Sequence, residues 1–147
     1  MKIILKYLRN TKDQWVIYGE PDLKLMGYTD SSFQSDRDDS KSIFEFVFTL
    51  NEGVICWKSS KHHTVADSVC EAEYIAALDA AKEAVWLRKF LGELGVVSAL
   101  ESPILVYCDS TGAIAQAKEP KSHHRTKHVL HRYHLVREIM EQGDVDL

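Results

Sequence analysis

The sequence predicts an α/β domain, a mixed sheet of five strands in which three antiparallel strands precede parallel ones, with helices flanking the sheet. Three observations predict it. Ile43 to Leu50 sets Phe44, Phe46, Phe48 and Leu50 against Ile43, Glu45, Val47 and Thr49, the two-residue period of a strand, and Asn51-Glu52-Gly53 turns it tightly into a partner. Ser68 to Gly95 is the longest uninterrupted helical signal. Pro103 then introduces Ile104 to Cys108, a run apolar on both faces, as a central parallel strand would be.

At 147 residues, 45% hydrophobic and 27% charged, the chain has the size and composition of one globular domain, which excludes a disordered or fibrous protein. A formal charge of −4 excludes a polyanion binder acting through its overall charge, so any nucleic-acid site has to be a local basic patch. Cys56, Cys70 and Cys108 are odd in number and form no CxxC pair, which suits a reducing compartment without disulfides. The start, MKIILKYLRN, holds too short an apolar run for a signal-peptide core. No segment approaches the roughly eighteen apolar residues of a membrane span, so a soluble protein without a membrane partner is expected.

Residues 1 to 10 read as a short amphipathic helix with Ile3, Ile4, Tyr7 and Leu8 on one side. Leu23 to Thr29 reads as a strand closed by Asp30, and Ser31 to Ser42 as a solvated loop. Val54 to Lys58 completes the antiparallel set. Ser68 and Glu71 have capping-box spacing, which starts the long helix near Val69. Tyr74, Leu78, Ala81, Val85, Phe90, Leu91 and Leu94 form its apolar stripe, and Gly95 ends it. A second stripe of Ala76, Ala77, Ala80, Ala81 and Ala84 permits close packing, and Glu73 heads that side. By residue type alone Glu73 is a rim charge about twice as readily as a site residue. Ser110 to Ala117 and Thr126 to Gln142 read as further helices, and Val145 to Leu147 as a last strand.

In this order the fourth strand most naturally lies beside the first and parallel to it. Asp30 and Asp109 then stand at the carboxyl edge of adjacent strands, where open α/β sheets build their sites, and Glu73 can reach the same point. Carboxylates gathered so closely repel one another unless hard divalent cations sit between them, which implies magnesium bound by Asp30, Glu73 and Asp109. Such a cluster suits phosphodiester hydrolysis, in which one ion activates a water and another stabilises the leaving oxygen.

Four segments carry a more specific likeness: GYTDSSF (27–33), VADSVCEAEYIAALDAAKEAVWLRKFL (65–91), VYCDSTGAIAQAKEP (106–120) and RTKHVLHRYHLVRE (125–138). Together they resemble the ribonuclease H domain of copia-type LTR retrotransposon polyproteins. The resemblance covers nearly the whole chain and implies a ribonuclease H-like fold over 23–147, preceded in 1–22 by the tail of a reverse transcriptase. It implies that Asp30, Glu73 and Asp109 are the catalytic carboxylates, with Mg2+ as cofactor and Mn2+ able to replace it. It also implies an RNA:DNA hybrid as substrate, an upstream reverse transcriptase domain as neighbour and a retroelement particle in the cytoplasm or nucleus as location.

The stretch from Lys118 to Arg137 is basic, and Lys118, Lys121, Arg125, Lys127, His128 and Arg132 are expected to track phosphates. A zinc site from His124, His128 and His131 fits by spacing but lacks a Cys or acidic partner. The chain departs from the family pattern at Phe44-Glu45, where a small Ser-Gly pair is usual, and at Ser110, where Asn is common. The family's fourth carboxylate, on a final helix, is expected beyond Leu147; Asp144 and Asp146 do not match it. The expectation is therefore weak or absent cleavage, and self-association through the face that helix would cover. Copia-like fragments also occur among proteins described as secreted RxLR effectors of oomycetes. That is the alternative: a non-catalytic binding module secreted and translocated into a host cell. This chain has Lys6-Tyr7-Leu8-Arg9 rather than R-x-L-R.

Overall fold

The computed structural model describes residues 2–15, 23–36, 38–95, 102–118 and 130–147, with the backbone alone at 130–133. Its elements are α1 (Lys2–Asn10), β1 (Leu25–Ser32), β2 (Ile43–Leu50), β3 (Gly53–Lys61), α2 (Val69–Glu93), β4 (Ile104–Cys108), α3 (Thr111–Lys118), α4 (Leu130–Glu141) and β5 (Val145–Asp146). They form one five-stranded sheet in the order β3-β2-β1-β4-β5, antiparallel from β3 to β1 and parallel from β1 through β4 to β5. The expected α/β class, mixed sheet and flanking helices are all present.

The sheet is built locally as its residues dictate. Asn51 and Glu52 both adopt positive φ, the backbone of a two-residue hairpin between Leu50 and Gly53, and Asn51 Oδ1 accepts the Lys24 N–H at 2.7 Å. Phe44, Phe46, Phe48 and Leu50 all point to one buried face. Opposite Phe48, a side chain at Gly27 would meet the ring at 2.6 Å, so β1 needs glycine there to let the ring lie across it.

Helix α2 begins as its capping residues predict: Ser68 Oγ accepts the Glu71 N–H at 3.1 Å. The return half of the box differs, since Glu71 accepts from Asp67 N–H at 2.7 Å, one residue before the cap. The apolar stripe also needs correction. Tyr74, Leu78, Ala81 and Leu91 are buried, but Phe90 and Leu94 face solvent, Phe90 stacking on Trp86 with centroids 5.0 Å apart. Ala80, Ala84 and Leu87 take the inward positions.

Two further boundaries move. β1 continues to Ser32, so Asp30 lies within the strand rather than closing it, and β3 runs to Lys61. The connection after β1 is tied down by ion pairs from Lys61 to Asp36 and Asp39. β4 is covered on one face only: Ile104 and Val106 are buried, while Leu105 and Tyr107 are about half exposed. α1 is exposed along its whole length and touches no other described element.

Arg88 closes the far end of the sheet. Its guanidinium donates to the carbonyls of Ser102, Gly143 and Asp144 and to the Asp144 carboxylate, all at 3.1 Å, binding α2 to the approaches of β4 and β5. Asp144 is thereby a structural partner of Arg88.

Candidate active site

The site forms where three elements converge. β1 and β4 pair in parallel through Thr29↔Cys108, so Asp30 and Asp109 each stand one residue past that rung at the same end of the sheet. α2 crosses the sheet on Ala76, Ala77, Ala80, Ala81 and Ala84, all 0–1% exposed, and these small side chains let its backbone come close. Its start is pinned by α3, where a Cβ at Gly112 would meet Cys70 Sγ at 3.1 Å and Ser110 Oγ caps the helix by accepting the Ala113 N–H.

Glu73 is therefore buried, 5% exposed, and not the rim charge that its residue type favours. The reason is that α2 is enclosed on every side from Ala72 to Leu78. The sheet lies under Ala76 and Ala80, α3 and α4 flank Tyr74 and Leu78, and Ala66 with Phe33 covers Ala72 and Ile75. One backbone N–H, that of Ser31, donates both to Asp30 Oδ1 at 2.8 Å and to Glu73 Oε1 at 3.2 Å. Glu73 Oε2 is buried with no hydrogen-bond partner.

That environment holds the Glu73 carboxyl up to about 7, by burial first and then by the charges of Asp30 and Asp109, against the opposing Ser31 N–H. Ligand atoms of Glu73, Cys108 and Asp109 lie within 4.8 Å of one another. Asp30 stands outside this trio and is joined to it through the shared Ser31 amide. A buried orphan oxygen beside a second carboxylate is a group that a cation would satisfy, and the oxygen donors fit a hard divalent ion.

Two neighbours of the site were not among the expected residues. Cys108 contributes a thiol to the trio, and its signal in the sequence was its place directly before Asp109. Glu45 lies opposite Asp30 in the β1–β2 register and accepts the Ser59 hydroxyl at 2.8 Å; its signal was its departure from the small residue usual there. Of the expected phosphate-tracking residues, Lys118 is half exposed at the end of α3 and pairs with Asp146 at 3.3 Å. Lys121, Arg125, Lys127 and His128 lie outside the described residues, and Arg132 is described only as backbone within α4. His124, of the spacing-based zinc triad, also lies outside them.

The sheet order, the long helix across it and the carboxylates at its edge define a ribonuclease H-like fold. In agreement, the structure aligns with LC11-RNase H1, solved in complex with an RNA/DNA hybrid, at a TM-score of 0.56 and 16% identity, over 82% of this chain and 78% of that one. No family model matches. The sequence is 43% identical over 141 residues to the retrovirus-related Pol polyprotein from transposon TNT 1-94 of Nicotiana tabacum, covering 96% of this chain. It is 38% identical over 88 residues to secreted RxLR effector protein 161 of Plasmopara viticola, 59% of this chain and 62% of that protein. The chain is thus homologous to one segment of copia-type retrotransposon Pol polyproteins, of which it spans about 10% of the length.

Proposed function

We propose that this chain is a ribonuclease H-type endonuclease domain that hydrolyses the RNA strand of RNA:DNA hybrids, with Asp30, Glu73 and Asp109 holding Mg2+ or Mn2+. The observation that carries the reading is the buried, unpartnered Glu73 Oε2 beside Asp109 at the carboxyl edge of β1 and β4. Divalent ions bound there would supply an activated water and stabilise the leaving oxygen of a phosphodiester. The chain's own residues do the rest. Glu73 is held rigidly by its enclosed helix and by the Ser31 N–H, and its unpartnered Oε2 is the oxygen that would hold a cation, with the carboxyl proton released to solvent. Asp30 is oriented by the same N–H, that of the next residue in β1. Lys118 and the basic segment that follows it would track the phosphate backbone, with the upstream reverse transcriptase of a Pol polyprotein as the neighbour that delivers the hybrid.

The similarity to the Plasmopara protein favours a second reading, a binding module that keeps the fold without the reaction. A labelled RNA:DNA hybrid incubated with the chain in Mg2+ separates the two. Cutting of the RNA strand that Asp30→Asn or Glu73→Gln lowers by about 10² to 10³, the usual cost of one misplaced catalytic charge, supports the enzyme. Salt-sensitive hybrid binding with no cutting supports the binding module.

A further inference from the structure

The half-buried thiol of Cys108 has no place in magnesium chemistry, because Mg2+ takes oxygen ligands. Yet Cys108 Sγ lies within 4.8 Å of both the Glu73 and Asp109 carboxylate atoms, so sulfur and oxygen donors converge on one point. The Glu73 oxygen with no partner is the second and independent sign of a missing ligand, in a side chain more than nine-tenths buried.

We propose that Glu73, Cys108 and Asp109 form a soft-metal site for Zn2+, overlapping the position a magnesium ion would take. One thiolate and two carboxylates are three protein ligands of the types zinc accepts, and the fourth tetrahedral position is left to water or to Asp30. Sulfur decides the preference: thiolates select zinc and its soft analogues over magnesium, and divalent affinity rises from manganese toward zinc. On binding, the Cys108 sulfur–hydrogen bond breaks, a sulfur–zinc bond forms and the proton passes to solvent, with no change of oxidation state. Zinc held this way fills the site with tetrahedral geometry and excludes the octahedral ion, so zinc would silence the domain by a competition that magnesium alone does not relieve. The proposal shares Glu73 and Asp109 with the hydrolytic reading but requires no nucleic acid and no reaction.

Co2+ reports the thiolate directly, through a near-ultraviolet sulfur-to-cobalt charge-transfer band. Titration of the metal-free, reduced chain with Co2+ should develop this band, and Zn2+ should bleach it. Cys56→Ser/Cys70→Ser, which leaves Cys108 as the sole thiol, should keep it. Cys108→Ser should lose the band and weaken Zn2+ competition by at least about tenfold, since even outer-shell partners of a ligand are typically worth 10- to 100-fold. Circular dichroism on each variant guards against misfolding. A band that persists in Cys108→Ser, or none in the Cys56→Ser/Cys70→Ser protein while it remains folded, overturns the proposal. Mg2+ titrated calorimetrically into the metal-free Cys108→Ser protein tests the other reading separately: absence of heat there, with the cobalt band present in the parent chain, leaves the zinc site standing and removes magnesium from Glu73 and Asp109.

Discussion

The two faces of the sheet carry opposite chemistry although they alternate along the same strands. On the face under α2, Leu25, Phe44, Phe46, Phe48, Leu50, Ile104 and Val106 are 0–6% exposed and form one continuous core. On the other, no described element lies over Tyr28, Trp57, Leu105 and Tyr107, which are 44–71% exposed, and Tyr28 stacks on Tyr107 with centroids 5.3 Å apart. The site spans the boundary: Asp30 belongs to the open face with Tyr28, while Glu73 is buried beneath the covered one. The comparison teaches that the core draws on one side of the sheet while the site draws on both, so the open face can be disturbed without disturbing the core.

The largest contrast is in unfolding. Phe48→Ala on the covered face should cost about 3–5 kcal/mol in urea denaturation, whereas Trp57→Ala on the open face should stay within about 0.5 kcal/mol. Equal costs would mean that the open face is packed in solution, and the contrast would collapse.

The next effect belongs to Glu73. Its carboxyl holds its proton up to about 7 in the fold, against 4.5 ordinarily, so the folded chain binds that proton more tightly than the unfolded one. Without divalent ions, stability should fall as pH rises from about 4.5 to 7, by a total of about 3 kcal/mol, and change little from this source above that. Glu73→Gln should remove this slope and be the more stable protein at pH 8 in EDTA. Parallel denaturation midpoints for the two proteins at pH 5.5 and 8 would show that burial does not strain the carboxylate.

Smaller still is the effect on the open face. Tyr28→Ser should lose about 0.5–1.5 kcal/mol through the Tyr107 stack. Leu105→Lys should leave stability almost unchanged but reduce hydrophobic-dye binding and any concentration-dependent self-association. Unaltered dye binding would place the apolar surface elsewhere.

Much of this arrangement is legible in the sequence because it follows from order and period. Strand alternation in Ile43 to Leu50, the crossover rule for β4 and the aspartates after apolar runs together yield the sheet and its edge. What is not legible is enclosure. A helix buried all round, as α2 is from Ala72 to Leu78, has no single stripe to read, so periodicity misplaces Phe90 and Leu94, and residue type misjudges Glu73. Cys108 escapes for a related reason: Asp109 is its neighbour in sequence, but Glu73 on α2 is remote, and only the folded distance brings the sulfur to both carboxylates. The apparent two-sided burial of β4 likewise depends on what covers Leu105 and Tyr107, which no local pattern states.

The amide shared by Asp30 and Glu73 has a use beyond holding them. A backbone N–H divided between two carboxylate acceptors changes its electronic surroundings whenever either is drawn toward an ion, so the Ser31 resonance in a proton–nitrogen correlation spectrum is a built-in gauge of the site. Magnesium recruiting both acids, and zinc recruiting Glu73 while leaving Asp30 to its amide when water fills the fourth position, would move that one peak along different paths, so a single backbone resonance reports both occupancy and ion identity.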